Sequence, residues 1–146
     1  MRVPVDLDDL LVAYEWVSAG EAAAVDAEAY VSRVDGQIQW VGEGVEEETP
    51  EDIEDGSLYI CVPHKSELDL GRSLALRFIE EHLPQKRQEV EGFFRKRGAY
   101  SRFKSLLERS RQLDAWHHYE QAAKEAALKE WCAENGFAAS RKAAGG

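Results

Sequence analysis

The spacing of hydrophobic residues predicts a short amphipathic helix at the start of the chain, over about residues 6–19. Apolar side chains recur there at steps of three and four, the period of one helix face, at Leu7, Leu10, Leu11, Tyr14 and Val17. Three aspartates stand at the beginning of this stretch, where carboxylates interact favourably with the positive end of the helix dipole. Gly20 is the expected end of the helix.

Three short β-strands are predicted next. Residues 29–34 and 37–41 are rich in β-branched and aromatic residues, and Asp35-Gly36 stands between them. An Asp-Gly pair between two such runs is typical of a tight hairpin with positive φ at both central residues. Residues 58–62 form a compact apolar run that stops at Pro63, a pattern that suits a third and central strand.

A strongly acidic stretch, residues 42–57, separates the second predicted strand from the third, and we name it the acidic segment. It contains eight carboxylates and no basic residue: Glu43, Glu46, Glu47, Glu48, Glu51, Asp52, Glu54 and Asp55. Its only apolar residues besides glycine and proline are Val45 and Ile53. We expect an exposed, mobile loop.

Helical periodicity dominates the rest of the chain. It predicts a helix from Glu67 to Pro84, a short helix around Val90 to Gly98, a third from Ala99, and a long last helix that ends at Asn135-Gly136. The Ala- and Gly-rich tail, residues 138–146, is expected to be disordered. The predicted fold is a single α+β domain over residues 1–137, with four helices packed on a small three-stranded antiparallel sheet.

Composition agrees with one globular domain. The chain has 146 residues, of which 44% are hydrophobic, so it can build a core. No apolar run approaches the roughly 18 residues of a membrane-spanning helix, so we expect no membrane association. The N-terminus has no apolar signal core, and two cysteines are too few for a disulfide framework. A cytoplasmic location with reduced thiols is the expectation.

Charge is distributed very unevenly along the chain. The formal net charge is −10, yet residues 1–58 carry −14 and residues 85–111 carry +6. One interpretation is internal balance, in which the acidic part folds against or near the basic part. The other is a basic patch that binds an anionic partner. The sequence leaves both open.

No familiar catalytic or cofactor motif occurs in the chain. Glycine-rich nucleotide-binding loops, nucleophile elbows, Cys-x-x-Cys pairs and His-Glu-x-x-His are all missing. Cys61, His64, His117 and Cys132 are the residues from which a zinc site would have to be built, but their spacing does not demand one. We therefore predict no catalytic residue, no metal and no cofactor, and expect Cys61 to be a small core residue.

The most distinctive segment is Arg95–Lys104, which we name the basic turn. It combines five basic residues with two aromatic residues around a Gly-Ala pair at the expected start of a helix. Gly98 permits a sharp turn, and the free N–H groups of a helix start attract anions. The candidate binding residues are Arg95, Lys96, Arg97, Gly98, Arg102 and Lys104. The competing interpretation is that Tyr100 and Phe103 are core residues and Arg102 pairs with an acid of the N-terminal part.

The sequence Gly98-Ala99-Tyr100-Ser101-Arg102-Phe103-Lys104 resembles the Gly-Ala-Phe-x-Arg-Phe-Lys signature of uncharacterised protein family 0158, which is widespread in bacteria. Further landmarks occur in the same order: the strand ending at Pro63, Phe78-Ile79, Trp116-x-x-Tyr119, and Trp131 with Asn135. The resemblance covers about residues 6–137. Tyr100 and Arg97 depart from the family pattern, in which phenylalanine and often glycine stand. The family has no assigned activity, so the resemblance implies a fold grouping and no catalytic residues.

Three functions are compatible with these observations. The first is a non-enzymatic interaction or regulatory module, which binds an unknown protein partner or an anionic ligand through the basic turn. The second is an accessory protein that binds RNA or single-stranded nucleic acid, with Phe94, Tyr100 and Phe103 stacking on bases. The third is an enzyme whose site the sequence does not reveal. A homodimer is also compatible, because alanines of the last helix permit close helix contact.

Overall fold

The structure is a computed structural model that describes residues 2–141, and its fold is α+β as predicted. Its elements follow in chain order: β1 (Val3–Asp6), α1 (Leu7–Ala23), β2 (Ala27–Ser32), β3 (Ile38–Gly42), β4 (Tyr59–Cys61), α2 (Arg72–His82), a 3-10 turn (Pro84–Lys86), α3 (Arg87–Phe93), α4 (Ala99–Arg109), α5 (Leu113–Glu134) and β5 (Phe137–Ser140). The chain divides into two compact units, Met1–Leu68 with Glu125–Gly146, and Asp69–Lys124.

Helix α1 forms where the hydrophobic stripe predicted it but runs one turn further. The Asp6 carboxylate accepts a hydrogen bond from the Asp9 backbone N–H at 3.0 Å and so caps the N-terminus. The helix ends at Ala24, which takes a left-handed conformation, so the predicted stop at Gly20 was wrong. Gly20 is instead buried where α1 packs closely on β2, because a Cβ there would overlap the Cβ of Ala27.

The three-stranded antiparallel sheet is confirmed, in the order β3-β2-β4. Strand β2 is therefore central, and β4, expected in the centre, is a three-residue edge strand. Ala29 and Val31 of β2 are fully buried, and α1 packs on this sheet. Cys61 on the edge strand is exposed, which corrects the expectation of a core position.

The β2–β3 hairpin exists, but its loop is longer than a two-residue turn. The backbone N–H of Ser32 donates to the Gln37 carbonyl at 2.9 Å and closes a four-residue loop. Of the loop residues only Gly36 has positive φ, at 76°, whereas the predicted turn required it at both central residues. The Asp35 carboxylate accepts from the Gln37 N–H at 3.0 Å, which stabilises this wider turn.

The chain termini form a second sheet that the sequence did not predict. Strands β1 and β5 pair in parallel, with Val3 opposite Phe137 and Asp6 opposite Ser140. Disorder was therefore wrongly predicted for residues 138–140, and residues 142–146 of that tail lie outside the described residues. The Arg141 guanidinium, directly after β5, forms ion pairs with Asp8 and Glu125 and ties the strand to two helices.

The second unit is helical and has its own aromatic core. Trp116 of α5 is buried against Phe78 of α2 and Phe103 of α4, with ring centroids 5.4 and 5.0 Å apart and nearly perpendicular rings. Helices α2, α3 and α4 pack on one another in sequence. In the first unit, α1 is the helix that contacts strands β2 and β3 of the sheet.

Candidate functional site: the basic turn

The basic turn connects α3 to α4, and backbone hydrogen bonds fix its path. After α3 ends, the Arg95 and Lys96 N–H groups donate to the carbonyls of Gly92 and Phe93 at 3.3 and 3.1 Å. Gly98 then takes a left-handed conformation, φ 76° and ψ 20°, and α4 begins at Ala99. A residue with a Cβ adopts this conformation only at a cost, so glycine is favoured at this position.

The aromatic side chains of the turn point into the second unit. Phe103 is completely buried and contacts both Trp116 and Phe94. Phe94 and Tyr100 pack edge to face with ring centroids 5.3 Å apart. Burial, with the nearby charge of Glu120, raises the pKa of the Tyr100 hydroxyl to about 12. The core interpretation of these rings is therefore correct for Phe103, and the phenol of Tyr100 stays neutral at physiological pH.

The basic side chains of the turn point outward. All six predicted binding residues are exposed: Arg95, Lys96, Arg97, Gly98, Arg102 and Lys104. Among residues 2–141, none of the five bases takes part in an ion pair. Arg102, for which one interpretation predicted an acidic partner, is among these bases without an ion pair in the described part of the chain. The turn therefore presents five positive charges with no carboxylate salt-bridged to them.

The two bases that come before α3 and at its start are paired and do not belong to this surface. Arg87 forms ion pairs with Glu80 and Glu91, and Lys86 lies 3.7 Å from Glu89. The hydrogen bond from Arg87 is the main cause that lowers the pKa of Glu91, and the charge of Arg95 adds to it. Lys86 and Arg87 are thus paired with nearby carboxylates, whereas the five bases of the basic turn form no ion pair among the described residues.

The N-terminus of α4 lacks the groups that usually balance its partial positive charge. No side chain caps the helix at Gly98, and its first turn contains no acidic residue. The first N–H groups of a helix carry partial positive charge and usually bind a capping oxygen. The arrangement therefore suits an external anion next to Gly98, with Arg102 one turn further along.

The bases do not converge on a single point. Residues 102 and 104 are about 200° apart around a helix, so Arg102 and Lys104 lie on opposite flanks of the exposed face of α4, with Phe103 buried between them. Arg95, Lys96 and Arg97 precede the helix altogether. This geometry makes a broad charged surface and not a pocket for one small anion.

A second cluster lies in the first unit, and the sequence analysis named only two of its members, Cys61 and His64. A cavity of about 300 Å³ is lined by Cys61, His64, Glu67, Glu28 and Tyr30, among others. The Nε2 atom of His64 is 2.9 Å from a Glu67 carboxylate oxygen, and its Nδ1 is buried with no hydrogen-bond partner in the described chain. The spacing Cys61-x-x-His64-x-x-Glu67 is the only sequence signal for this cluster.

The chemistry of this cavity does not favour a nucleophile. Cys61 is exposed as a residue, but its thiol is partly desolvated at this cavity. That desolvation is the largest cause that raises the pKa of the thiol, and the charges of Glu28 and Glu67 add to it, so the thiolate is disfavoured. A hydrogen bond to Glu28 at 2.6 Å likewise raises the pKa of the Tyr30 hydroxyl. Within residues 2–141 no three His, Cys, Asp or Glu side chains are grouped to hold a metal ion.

The remaining sequence candidates are spread over the molecule. Cys132 is fully buried, and burial raises the pKa of its thiol to about 11. His117 and His118 are exposed on α5. In the part of the chain that is described, no helix has both the length and the apolar character needed to cross a bilayer.

Comparison with known proteins finds no matching family model, no similar curated protein and no similar solved structure. The resemblance to uncharacterised protein family 0158 therefore stays a prediction from the signature around Gly98.

Proposed function

We propose that this protein is a non-enzymatic interaction module that binds an anionic protein partner through the basic turn. The observation that carries the proposal is the exposure of Arg95, Lys96, Arg97, Arg102 and Lys104 without an ion-pair partner among the described residues. A cytoplasmic location and membership of family 0158 are parts of the same proposal.

Two features favour a specific binding surface over an ordinary solvated surface. The aromatic residues of the turn pack inward and fix its backbone, so the charges are held on an ordered support. The uncapped start of α4 adds backbone donors beside Gly98. Ordered charges lose less entropy on binding than charges on a disordered tail.

The buried rings argue against the nucleic-acid alternative. Single-stranded nucleic acids are held by bases stacked on exposed aromatic faces as well as by phosphate contacts. Phe103 is 0% exposed, and Phe94 and Tyr100 pack against each other. Contacts from this turn to a nucleic acid would be limited to the phosphates.

The test is fluorescence anisotropy with a labelled oligoglutamate peptide and a labelled single-stranded RNA, each at about 50 and 200 mM salt. We expect the peptide to bind, to weaken with salt, and to bind about tenfold less tightly to Arg102→Ala or Lys104→Ala. Arg77→Ala, an exposed base on α2, is the matched control and should bind as the wild type does.

Thermal unfolding of the same variants separates binding from folding. Because Arg102 and Lys104 are exposed, their removal should leave the thermal midpoint nearly unchanged. Failure of the peptide to bind at 50 mM salt would overturn the proposal, and RNA binding tighter than peptide binding would replace it with the nucleic-acid function.

A further inference from the structure

The spread of the bases indicates what shape of anion the turn fits. Arg97 precedes α4, whereas Arg102 and Lys104 flank it on opposite sides. A single phosphate group is too small to touch all of these side chains. A flexible chain with many negative charges can run across Gly98 and contact the bases on either side.

The inward packing of the rings indicates which polyanion is favoured. A nucleic acid would gain its phosphate contacts but none of the stacking that normally supplements them, because Phe103 is buried. A carboxylate-rich peptide needs no stacking surface. Arginine donates two parallel hydrogen bonds to a carboxylate, so Arg97 and Arg102 suit such a peptide well.

This chain itself contains a peptide of that kind. The acidic segment carries eight carboxylates and no base, and all eight are exposed. In the chain from residue 2 to 141 none of the eight takes part in an ion pair. Its one buried residue is Ile53, and it contains turns but no helix or strand between β3 and β4.

We propose that the basic turn of one copy binds the acidic segment of a second copy, so that the protein associates with itself by charge complementarity. The inference rests on the proposed function and names its partner. It accounts for a chain of net charge −10 that holds two oppositely charged, unpaired surfaces. At about 0.1 M salt the overall repulsion is screened beyond roughly 10 Å, while contacts between neighbouring charges persist.

Charge reversal on each surface provides the test. The basic variant is Lys96→Glu with Arg97→Glu, which leaves Arg95 beside Glu91, and the acidic variant is Glu47→Lys with Glu48→Lys. The controls change net charge equally at exposed sites elsewhere: Arg77→Glu with Lys129→Glu, and Glu81→Lys with Glu130→Lys. Sedimentation velocity measures the mass of each against the 16.5 kDa monomer.

At about 100 mM salt we expect the average mass of the wild type and of both controls to rise with protein concentration. In about 500 mM salt the wild type should return to the monomer mass, because the charges are screened. Each of the two variants alone should associate about tenfold more weakly than the wild type does. A mixture of the two variants should recover association, because the unchanged basic turn of the acidic variant can bind the unchanged acidic segment of the basic variant.

Three results would overturn the inference: a wild type that stays monomeric at every concentration, controls that weaken as much as the variants, or a mixture that fails to recover. Binding of labelled oligoglutamate distinguishes the failures. If a monomeric wild type still binds that peptide, the proposed function stands and only the second copy is excluded as its partner. If peptide binding fails as well, both proposals fail.

Discussion

Gly36 lies so close to the Pro4 carbonyl oxygen that a Cβ on Gly36 would overlap it. The tip of the β2–β3 hairpin is thereby seated against β1, although 32 residues separate the two positions in the sequence. This contact, and not only the turn geometry, requires a glycine at the hairpin.

Replacement of Gly36 by alanine should destabilise the protein more than the same change at Gly44. Both glycines have positive φ, 76° and 81°, so both variants incur the left-handed cost of about 1–2 kcal/mol. Only Gly36→Ala adds a clash, because nothing lies within 4 Å of the Cβ position at Gly44. Urea unfolding measures the difference, and equal losses for the two variants would contradict the contact.

Arg33 should be a structural residue of the first unit despite its position in a surface loop. Its Nε donates to the Gly56 carbonyl at 2.7 Å and its Nη1 to the Asn135 carbonyl at 3.2 Å. It therefore joins the hairpin loop to the end of the acidic segment and the end of α5. We expect Arg33→Met to lower the free energy of unfolding by about 1.5–3 kcal/mol, since hydrogen bonds from a charged donor are lost.

Arg77→Met is the matched control for this change, because Arg77 is exposed and makes no side-chain hydrogen bond or ion pair with the described residues. It should shift the free energy of unfolding by less than about 0.5 kcal/mol. A comparable loss in both variants would mean that removal of the arginine charge in general, and not the hydrogen bonds of Arg33, lowers the stability.

Phe103 should contribute more to stability than any other residue of the basic turn. Truncation to alanine leaves a cavity beside Trp116 and Phe94, and we expect a loss of about 3–5 kcal/mol. Ser105→Ala, at an exposed position of the same helix, should stay within about 0.5 kcal/mol of the wild type. Chemical unfolding of the two variants checks this, and a small loss for Phe103→Ala would reopen the stacking function.

Stability should fall at alkaline pH. Burial raises the pKa of the Cys132 thiol from an ordinary value of 9.0 to about 11, so the unfolded chain loses this proton at lower pH than the folded chain. The stabilisation is fully present below about pH 9 and is lost as pH rises through 11. The Tyr100 hydroxyl, with a pKa of about 12, extends the loss to higher pH.

Urea unfolding of the wild type and Cys132→Ala between about pH 8 and pH 11 tests this assignment. The variant is less stable at every pH, because it loses buried volume, but its stability should decline less steeply than that of the wild type above pH 9. Parallel declines would assign the alkaline sensitivity to other groups.

Local pattern was sufficient to predict the helices and the antiparallel sheet. The stripe from Leu7 to Val17 specifies α1 because only one helix face can be buried, and the apolar runs beside Asp35-Gly36 specify a hairpin for the same reason. The exposed bases and the glycine of the basic turn were also predictable, since charged side chains are almost never buried without a partner.

Other features depended on contacts between residues distant in sequence. Val3–Asp6 and Phe137–Ser140 have no strong strand pattern of their own, and each becomes a strand only because the other supplies its hydrogen bonds. Gly20 does not end α1, because the close approach of β2 uses its missing side chain. The edge position of β4 follows from its pairing with β2 alone.

The same distinction between local pattern and long-range contacts applies to the candidate site. The sequence by itself determined which residues of the basic turn carry charge and where its backbone can bend, because both are properties of the residues themselves. Only the tertiary structure decided that Phe103 is core and that Arg102 has no ion-pair partner among the described residues. Burial and pairing are set by which surfaces the folded chain brings together, and no local pattern contains that information.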